Sequence, residues 1–306
     1  MHSNIKATII ADSVSPQGVR LTTFEIEYPR FILAELNTHR MLSKNSASSR
    51  AIPSKSLHEH ILQYPARPVF WGKNQSGMKA KEALEPDFAE RASRLWDAAI
   101  HSSILYSSEM ANLGLHKQIA NRPVELGMTM KTVISGTEWN NLWHLRDHED
   151  AQPEFAALAK AMRTEYTNST PVQLNPGEWH LPYIDTYRST LGDTLHYLSQ
   201  DREELSLEDA RIISASCCAQ VSYRKNDDNI DKARKIYKQL IESAPAHASP
   251  VEHQATPMPA RYATGEYSRE WPEGISHRDR DGNYWSGNFK GWIQFRKLIP
   301  NEQLPG

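Results

Sequence analysis

The sequence predicts a single α/β domain, of the α+β kind, with a mixed or antiparallel sheet flanked by helices. Three observations carry that reading. Residues 5–11 and 20–27 read as two strands joined by a turn that holds Pro16 and Gly18, the marks of a hairpin. Residues 85–113 repeat Phe88, Ala92, Leu95, Ala99 and Ile104 at helical spacing, with Gly114 as the stop. Helical patterns over 137–145, 154–166, 207–219 and 231–243 follow, and no Pro/Ser-rich linker divides the chain.

In chain order, Pro29 fits the first turn of a helix bearing Phe31, Ile32, Leu36 and Met41. That helix delivers residues 36–50, a stretch of hydroxyls, amides and cations with no glycine and no acid. Two readings are open for it. Ser hydroxyls, loop N–H groups and the Arg50 fork suit an anion. A solvated helix end, with His39 and Arg40 complementing the dipole, uses the same residues. Residues 54–84 are mixed and polar, with a loop at 71–77. A short helix over 116–126 bears Arg122, and 128–134 is Thr- and Val-rich like a strand. Residues 169–190 read as irregular, and residues 259–306 as a C-terminal extension of the domain, in a tail dense in Pro, Gly and His.

The totals exclude several classes. A net charge of −2 argues against wrapping nucleic acid, and no apolar run reaches the ~18 residues of a membrane span. The two cysteines, Cys217 and Cys218, are no disulfide scaffold; as small apolar residues on a helix they point to a reducing, cytoplasmic setting. There is no Gly-x-Gly-x-x-Gly and no Walker loop. His58-Glu-His60 splits its two imidazoles across a helix, and His144 and His148 lack an intervening Glu, so no metal is expected.

Four dispersed motifs remain. Thr38-His39-Arg40, seven residues, Ser48 resembles the Arg-His-Arg, seven residues, Ser signature of the flavin-dependent thymidylate synthases (the ThyX family). Asn141-Leu-Trp-His-Leu-Arg146 is similar to the family's Asn-x-x-x-Leu-Arg. Ala219-Gln-Val-Ser222-Tyr223 is similar to its Ala-Arg-Val-Ser, and His247-Ala-Ser-Pro-Val-Glu252-His253 to its His-x-Thr-Pro-Phe-Glu-His. In the family the last two segments precede the signature, whereas here they follow it. A circularly permuted ThyX-like domain is the arrangement this order implies, because nearby termini and loop tips tolerate re-cutting. Arg296-x-Leu-x-x-Asn301 repeats the spacing of Arg40-x-Leu-x-x-Asn45, as overlapping ends of a duplication would.

The resemblance implies an activity: reductive methylation of dUMP at C5 with methylenetetrahydrofolate, FAD and NADPH, giving dTMP in a homotetramer. By the same resemblance Arg146 stabilises charge on the pyrimidine and Ser48 stands with it as a catalytic position. Ser48, Ser49, Arg50, Arg122, Arg146 and Glu35 form the substrate set. His39, Arg40, Asn141, Ser222, His247, Ser249 and Glu252 form the cofactor set. Four departures fall on the nucleotide side: Thr38 replaces an Arg, Ser46 a Glu, Glu35 a Gln, and Ala51 a Tyr. The tail's Arg296 and Glu302 are expected to supply the missing pair. Because a carboxylate accepts hydrogen bonds, Glu35 leaves dCMP, or another pyrimidine nucleotide that is methylated or hydroxymethylated, as the alternative substrate. A non-catalytic relative that grips nucleotide or nucleic-acid phosphates through its Ser/Arg loop is the competing class.

Overall fold

The structure, a computed structural model, describes residues 5–191, 193–222, 227–243, 245–263, 271–300 and 302–303. The expected hairpin is present. β1 (Lys6–Val14) and β2 (Arg20–Pro29) pair antiparallel, with a register shift between Ile9 and Ala11. They are the middle of a mixed five-stranded sheet. β3 (Ser43–Ser46) and β4 (Thr129–Gly136) extend it antiparallel beyond β2, and β5 (Val172–Gln173) pairs parallel with β1 at the other edge. Pro29 ends β2 rather than opening a helix, and a 3-10 turn (Arg30–Ile32) leads into the five-residue α1 (Leu33–Asn37), which stops before Met41.

Alternation along β2 and β4 gives the sheet two faces. Phe24, Ile26 and Tyr28 with Met130 and Ile134 form one core with Phe155, Leu158 and Met162 of α6 (Pro153–Asn168). Leu57 and Ile61 of α2 (Ser54–Gln63) and Ile100 of α3 (Pro86–Asn112) close the same core. Each large side chain removed from water there contributes roughly 1.5–3 kcal/mol. On the other face, Val133 meets Cys218 and Val221 at the end of α7 (Leu207–Ala219). A second core gathers Trp179, Ile213, Cys217, Phe289, Trp292 and Phe295. Both thiols are buried; burial pushes Cys217 up to about 12 and Cys218 well above its ordinary value.

The remaining elements are short. α4 (Lys117–Ala120) and α5 (Asn140–Arg146) flank β4, and α8 (Ile230–Leu240) packs on α7. β6 (Asp185–Arg188), β7 (Leu195–Leu198) and β8 (Glu204–Leu205) form a small antiparallel sheet. In the tail, β9 (Ala255–Pro257) precedes α9 (Ala260–Ala263), and β10 (His277–Arg278), β11 (Tyr284–Ser286) and β12 (Phe289–Lys290) form another small sheet. β13 (Trp292–Gln294) then returns to pair with β9.

Two further segments differ from what the sequence predicts. Residues 54–84, read as mixed and polar, contain α2, whose Leu57 and Ile61 bury one turn apart. In α3 the conspicuous apolar stripe is not the buried one. Phe88 and Leu95 are 61% and 65% exposed, whereas Ile100 and Ser107 face inward. Gly114, at φ +86°, ends the helix as expected.

Candidate functional site

Residues 36–50 form more than a helix end and a loop. α1 stops at Asn37, and the chain turns through Thr38 and His39 before Ser43–Ser46 joins the sheet as its edge strand β3. Ser-Lys-Asn-Ser has no β-branched residue to announce a strand. Its pairing comes from distant partners: the ladder to β4, Thr132 Oγ1 donating to Ser46 Oγ at 2.8 Å, and Asn45 Nδ2 donating to the Cys218 carbonyl at 2.6 Å.

Arg146 sits in the last turn of α5, which is anchored by buried Leu142 and Trp143. Its Nε donates to Nε2 of His39 at 3.0 Å and its Nη2 to Thr38 Oγ1 at 3.3 Å. The guanidinium lies over Phe155, 4.8 Å from the ring centroid, and the His39 ring meets the same phenyl edge-on at 5.7 Å. An Nε2 that accepts places the imidazole proton on Nδ1, so His39 is neutral. Burial first, then the charges of Arg146 and Lys44, lower it from 6.5 to about 4. No carboxylate pairs with Arg146 among the described residues. The result is an arginine oriented on three sides and still uncompensated.

A cavity of about 710 Å³ opens beside it, lined among others by Phe31, Glu35, Phe70, Arg146 and Gln152. Glu35 makes no side-chain hydrogen bond among the described residues, and its Oε2 is shut off from solvent. The volume is in the range of small-molecule sites.

The other expected residues divide into separate groups. Ser48 meets Ser222, whose Oγ accepts from the Ser48 N–H at 3.0 Å. Ser222 also lines a second cavity of about 610 Å³, with Ala47, Glu27, Tyr64 and Lys131. Ser49 and Arg122 do come together, but on a carboxylate: Glu125 Oε1 accepts from Ser49 Oγ at 2.7 Å and from Arg122 at 3.0 Å, and Arg30 holds its Oε2 at 3.0 Å. Arg40, Arg50, Asn141, His247 and Ser249 are exposed. Arg40 and Arg50 make no ion pair among the described residues.

The tail lies against the motif that holds Glu252, and its charges are not free. Arg296 donates to Glu252 Oε1, and through Nε to Glu302 Oε2 at 2.7 Å; Lys297 donates to Glu302 Oε1 at 2.5 Å. Gln294 Nε2 adds a bond to the Glu252 carbonyl at 2.9 Å and one to Ser43 Oγ at 3.3 Å. Glu302 is desolvated, which alone would raise its pKa, yet bonds from Lys297 and Arg296 hold it below the usual carboxylate value. The expectation that Arg296 and Glu302 stand in for the missing Arg and Glu meets side chains already engaged within the chain. Their charges are consumed by one another, by Lys297 and by Glu252. Asn301, the other half of the tail's Asn-Glu pair, lies outside the described residues, as does Tyr223.

Sequence reasoning missed three contributors. Lys44 lies within the organising stretch and caps the carbonyls of His39 and Leu42 at 2.5 and 3.0 Å; burial, opposed by Glu252, lowers it from 10.5 to about 8. Glu125 had a local signal, its i+3 spacing from Arg122. The third is a buried relay with no signal in sequence: Ser13 to His180 at 2.9 Å, His180 to Thr23 at 2.8 Å, Thr23 to Ser135 at 2.6 Å, and Ser135 to His253 at 2.8 Å. It ties the central sheet to the segment after Glu252, and burial lowers both imidazoles to about 3.

Two solved structures are similar to the chain: the UMP/dUMP methylase PolB from Streptomyces cacaoi bound with 5-Br dUMP, and the same protein bound with 5-Br UMP. Each is 15% identical with a TM-score of 0.45, covering 54% of this chain and 91% and 90% of theirs. No curated protein sequence matches. A family model described as thymidylate synthase complementing protein matches residues 5–172, which span β1 through β5, α1 and its following stretch, and Asn141–Arg146. The chain belongs to that family, the one its four motifs resemble.

Proposed function

We infer that the protein is a flavin-dependent C5-methylase of a pyrimidine nucleotide, with dUMP, methylenetetrahydrofolate and NADPH as the family's substrates. The observation that carries this reading is Arg146: a guanidinium locked by His39, Thr38 and Phe155, paired with no carboxylate among the described residues, on the wall of a nucleotide-sized cavity. C5 of a pyrimidine attacks an electrophilic carbon only when negative charge on the ring is stabilised, and a pre-oriented cation supplies that stabilisation. His39, neutral and accepting, holds the guanidinium plane without competing for its charge. Neither thiol serves as a nucleophile, since burial keeps both protonated.

FAD fits the donor set of the same stretch. Its diphosphate needs cations that protein carboxylates have not neutralised, and Arg40 and Arg50 are two such cations; Asn141, His247 and Ser249 add exposed polar groups. When bound and reduced, FAD supplies the hydride that turns the methylene carried to C5 into a methyl group. Ser48 keeps its hydroxyl half-buried beside Ser222, where it serves the nucleotide side of the site. The permuted order is supported by the seating of Ser222 on Ser48 and of Glu252 beside β3 through Gln294. A homo-oligomer is supported by the exposed Phe88, Leu95, Tyr106 and Leu113 along α3. A cytoplasmic setting is supported by the two buried, unpaired thiols.

The test is direct. Purified protein should be yellow, with flavin absorbance, and should release tritium from a C5-labelled pyrimidine nucleotide only when NADPH and methylenetetrahydrofolate are present. A colourless protein that takes up no added FAD and releases no tritium overturns the reading.

A further inference from the structure

Glu35 and Arg146 line the same cavity without pairing, and one oxygen of Glu35 is a buried acceptor with no donor among the described residues. Buried acceptors in folded proteins find donors. Thr38 Oγ1 does not serve it, because that hydroxyl donates to the Glu35 carbonyl at 2.6 Å and accepts from Arg146. The Glu35 side chain thus has no partner among the described residues, and the part of it that lines the cavity is left to whatever fills that space.

We propose that Glu35 sets the base specificity of the site, selecting a pyrimidine nucleotide with an amino group at C4, a cytosine nucleotide, over one with a carbonyl there. The proposal rests on the nucleotide reading above and names its base. Along its pairing edge cytosine presents a donor, N4–H₂, followed by two acceptors, N3 and O2. A carboxylate beside a guanidinium fork is the complement of that order: Glu35 takes the amino group, and Arg146 gives two N–H groups to N3 and O2. Uracil presents acceptor, donor, acceptor. With O2 on Arg146, its O4 would face the carboxylate, lone pair against lone pair. Turning the ring to bring N3–H to Glu35 leaves Arg146 a single carbonyl. Phe31 and Phe70 are apolar walls for either ring and do not discriminate.

The test uses equilibrium dialysis of dCMP and dUMP against the full chain, alongside C5 tritium release from each nucleotide with the complete cofactor set. Wild type should favour dCMP by about tenfold or more, since a site built for a donor rejects the analogue that lacks it. Glu35→Gln keeps the shape and can turn its amide N–H₂ toward a carbonyl, so it should bring the ratio to parity or reverse it. Its Tm, matched to wild type, confirms that the fold is kept. Preferred binding and turnover of dUMP by wild type overturns the choice of base and leaves the methylase reading standing. An unchanged ratio in Glu35→Gln overturns the role of Glu35. Binding of neither nucleotide overturns both readings.

Discussion

Arg146 and Arg296 both lie against motif segments, and their surroundings are opposite. Arg146 is held by neutral groups, an imidazole nitrogen, a hydroxyl and a phenyl face, and meets no carboxylate. Arg296 is closed by two carboxylates, Glu252 and Glu302, with Lys297 sharing the second. Neutral partners orient a cation and leave its field available to a ligand, whereas acidic partners cancel it. The first arrangement suits chemistry and the second suits holding a tail in place.

The largest expected effect follows from that contrast. Arg146→Ala should cut C5 tritium release by about 100-fold or more, the scale on which oriented electrostatic stabilisers act. Its melting temperature should stay near wild type, because no ion pair is broken. Arg296→Ala should do the reverse. Removing it strands Glu252 and leaves Glu302, only 9% exposed at its side chain, to Lys297 alone. Partial exposure of Arg296, 29% at its side chain, places the loss at about 1–3 kcal/mol in urea denaturation, below the cost of breaking a fully buried pair. If Arg296→Ala abolished turnover at unchanged stability, the two arginines would have exchanged roles. Deleting residues 285–306 cannot make this distinction, since it removes Phe289, Trp292 and Phe295 from the second core.

A smaller effect lies in the pH dependence. His39 titrates near 6.5 when unfolded and at about 4 in the fold. Between those values the unfolded chain binds the proton first, so stability rises with pH across the window. The contribution of neutral His39 is complete above about 6.5 and is lost as pH falls toward 4. His180 and His253, lowered to about 3, extend the same limb. Protonation also removes the acceptor that orients Arg146, so nucleotide affinity should fall in step. His39→Gln, whose amide oxygen still accepts, should make the limb between 6.5 and 4 shallower by the share of one histidine, with that of His180 and His253 remaining, measured by urea midpoints across pH. An unchanged limb would show that His39 is protonated in the fold. Glu302 adds a separate acid limb. Its folded pKa is depressed, so its contribution is present above the ordinary carboxylate value and lost as pH falls through the folded one. Glu302→Gln should remove that limb alone.

The legible parts of the molecule were those set by local period. α7 matches its sequence-derived limits, and the β1–β2 hairpin and α6 nearly match theirs. What long-range contacts decide was not legible. β3 exists because β4, 86 residues away from Ser46 at Thr132, offers it a ladder and a hydroxyl. The stripe in α3 gave the helix and misled about its face, since period alone does not tell a buried apolar row from an exposed one. The site divides in the same way. Motif spacing identified His39 and Arg146, but only the fold shows that they bond to each other, and that Arg296 and Glu302 are shut.

The smallest expected effect concerns Arg122, where Arg296's situation recurs. Its guanidinium is exposed and tied to Glu125, which also takes Ser49 and Arg30. An exposed pair of this kind contributes at most ~1 kcal/mol, and Arg30 remains to neutralise Glu125 when Arg122 is removed. Arg122→Ala should therefore shift nucleotide affinity by no more than about threefold, with stability within ~0.5 kcal/mol of wild type. Arg50→Ala is the matched variant, because Arg50 is equally exposed and pairs with no carboxylate among the described residues. By the logic that separates Arg146 from Arg296, it should weaken binding more than Arg122→Ala, with a steeper loss at low salt. Equal losses in the two variants would show that freedom from carboxylates does not mark the ligand-binding cations of this fold.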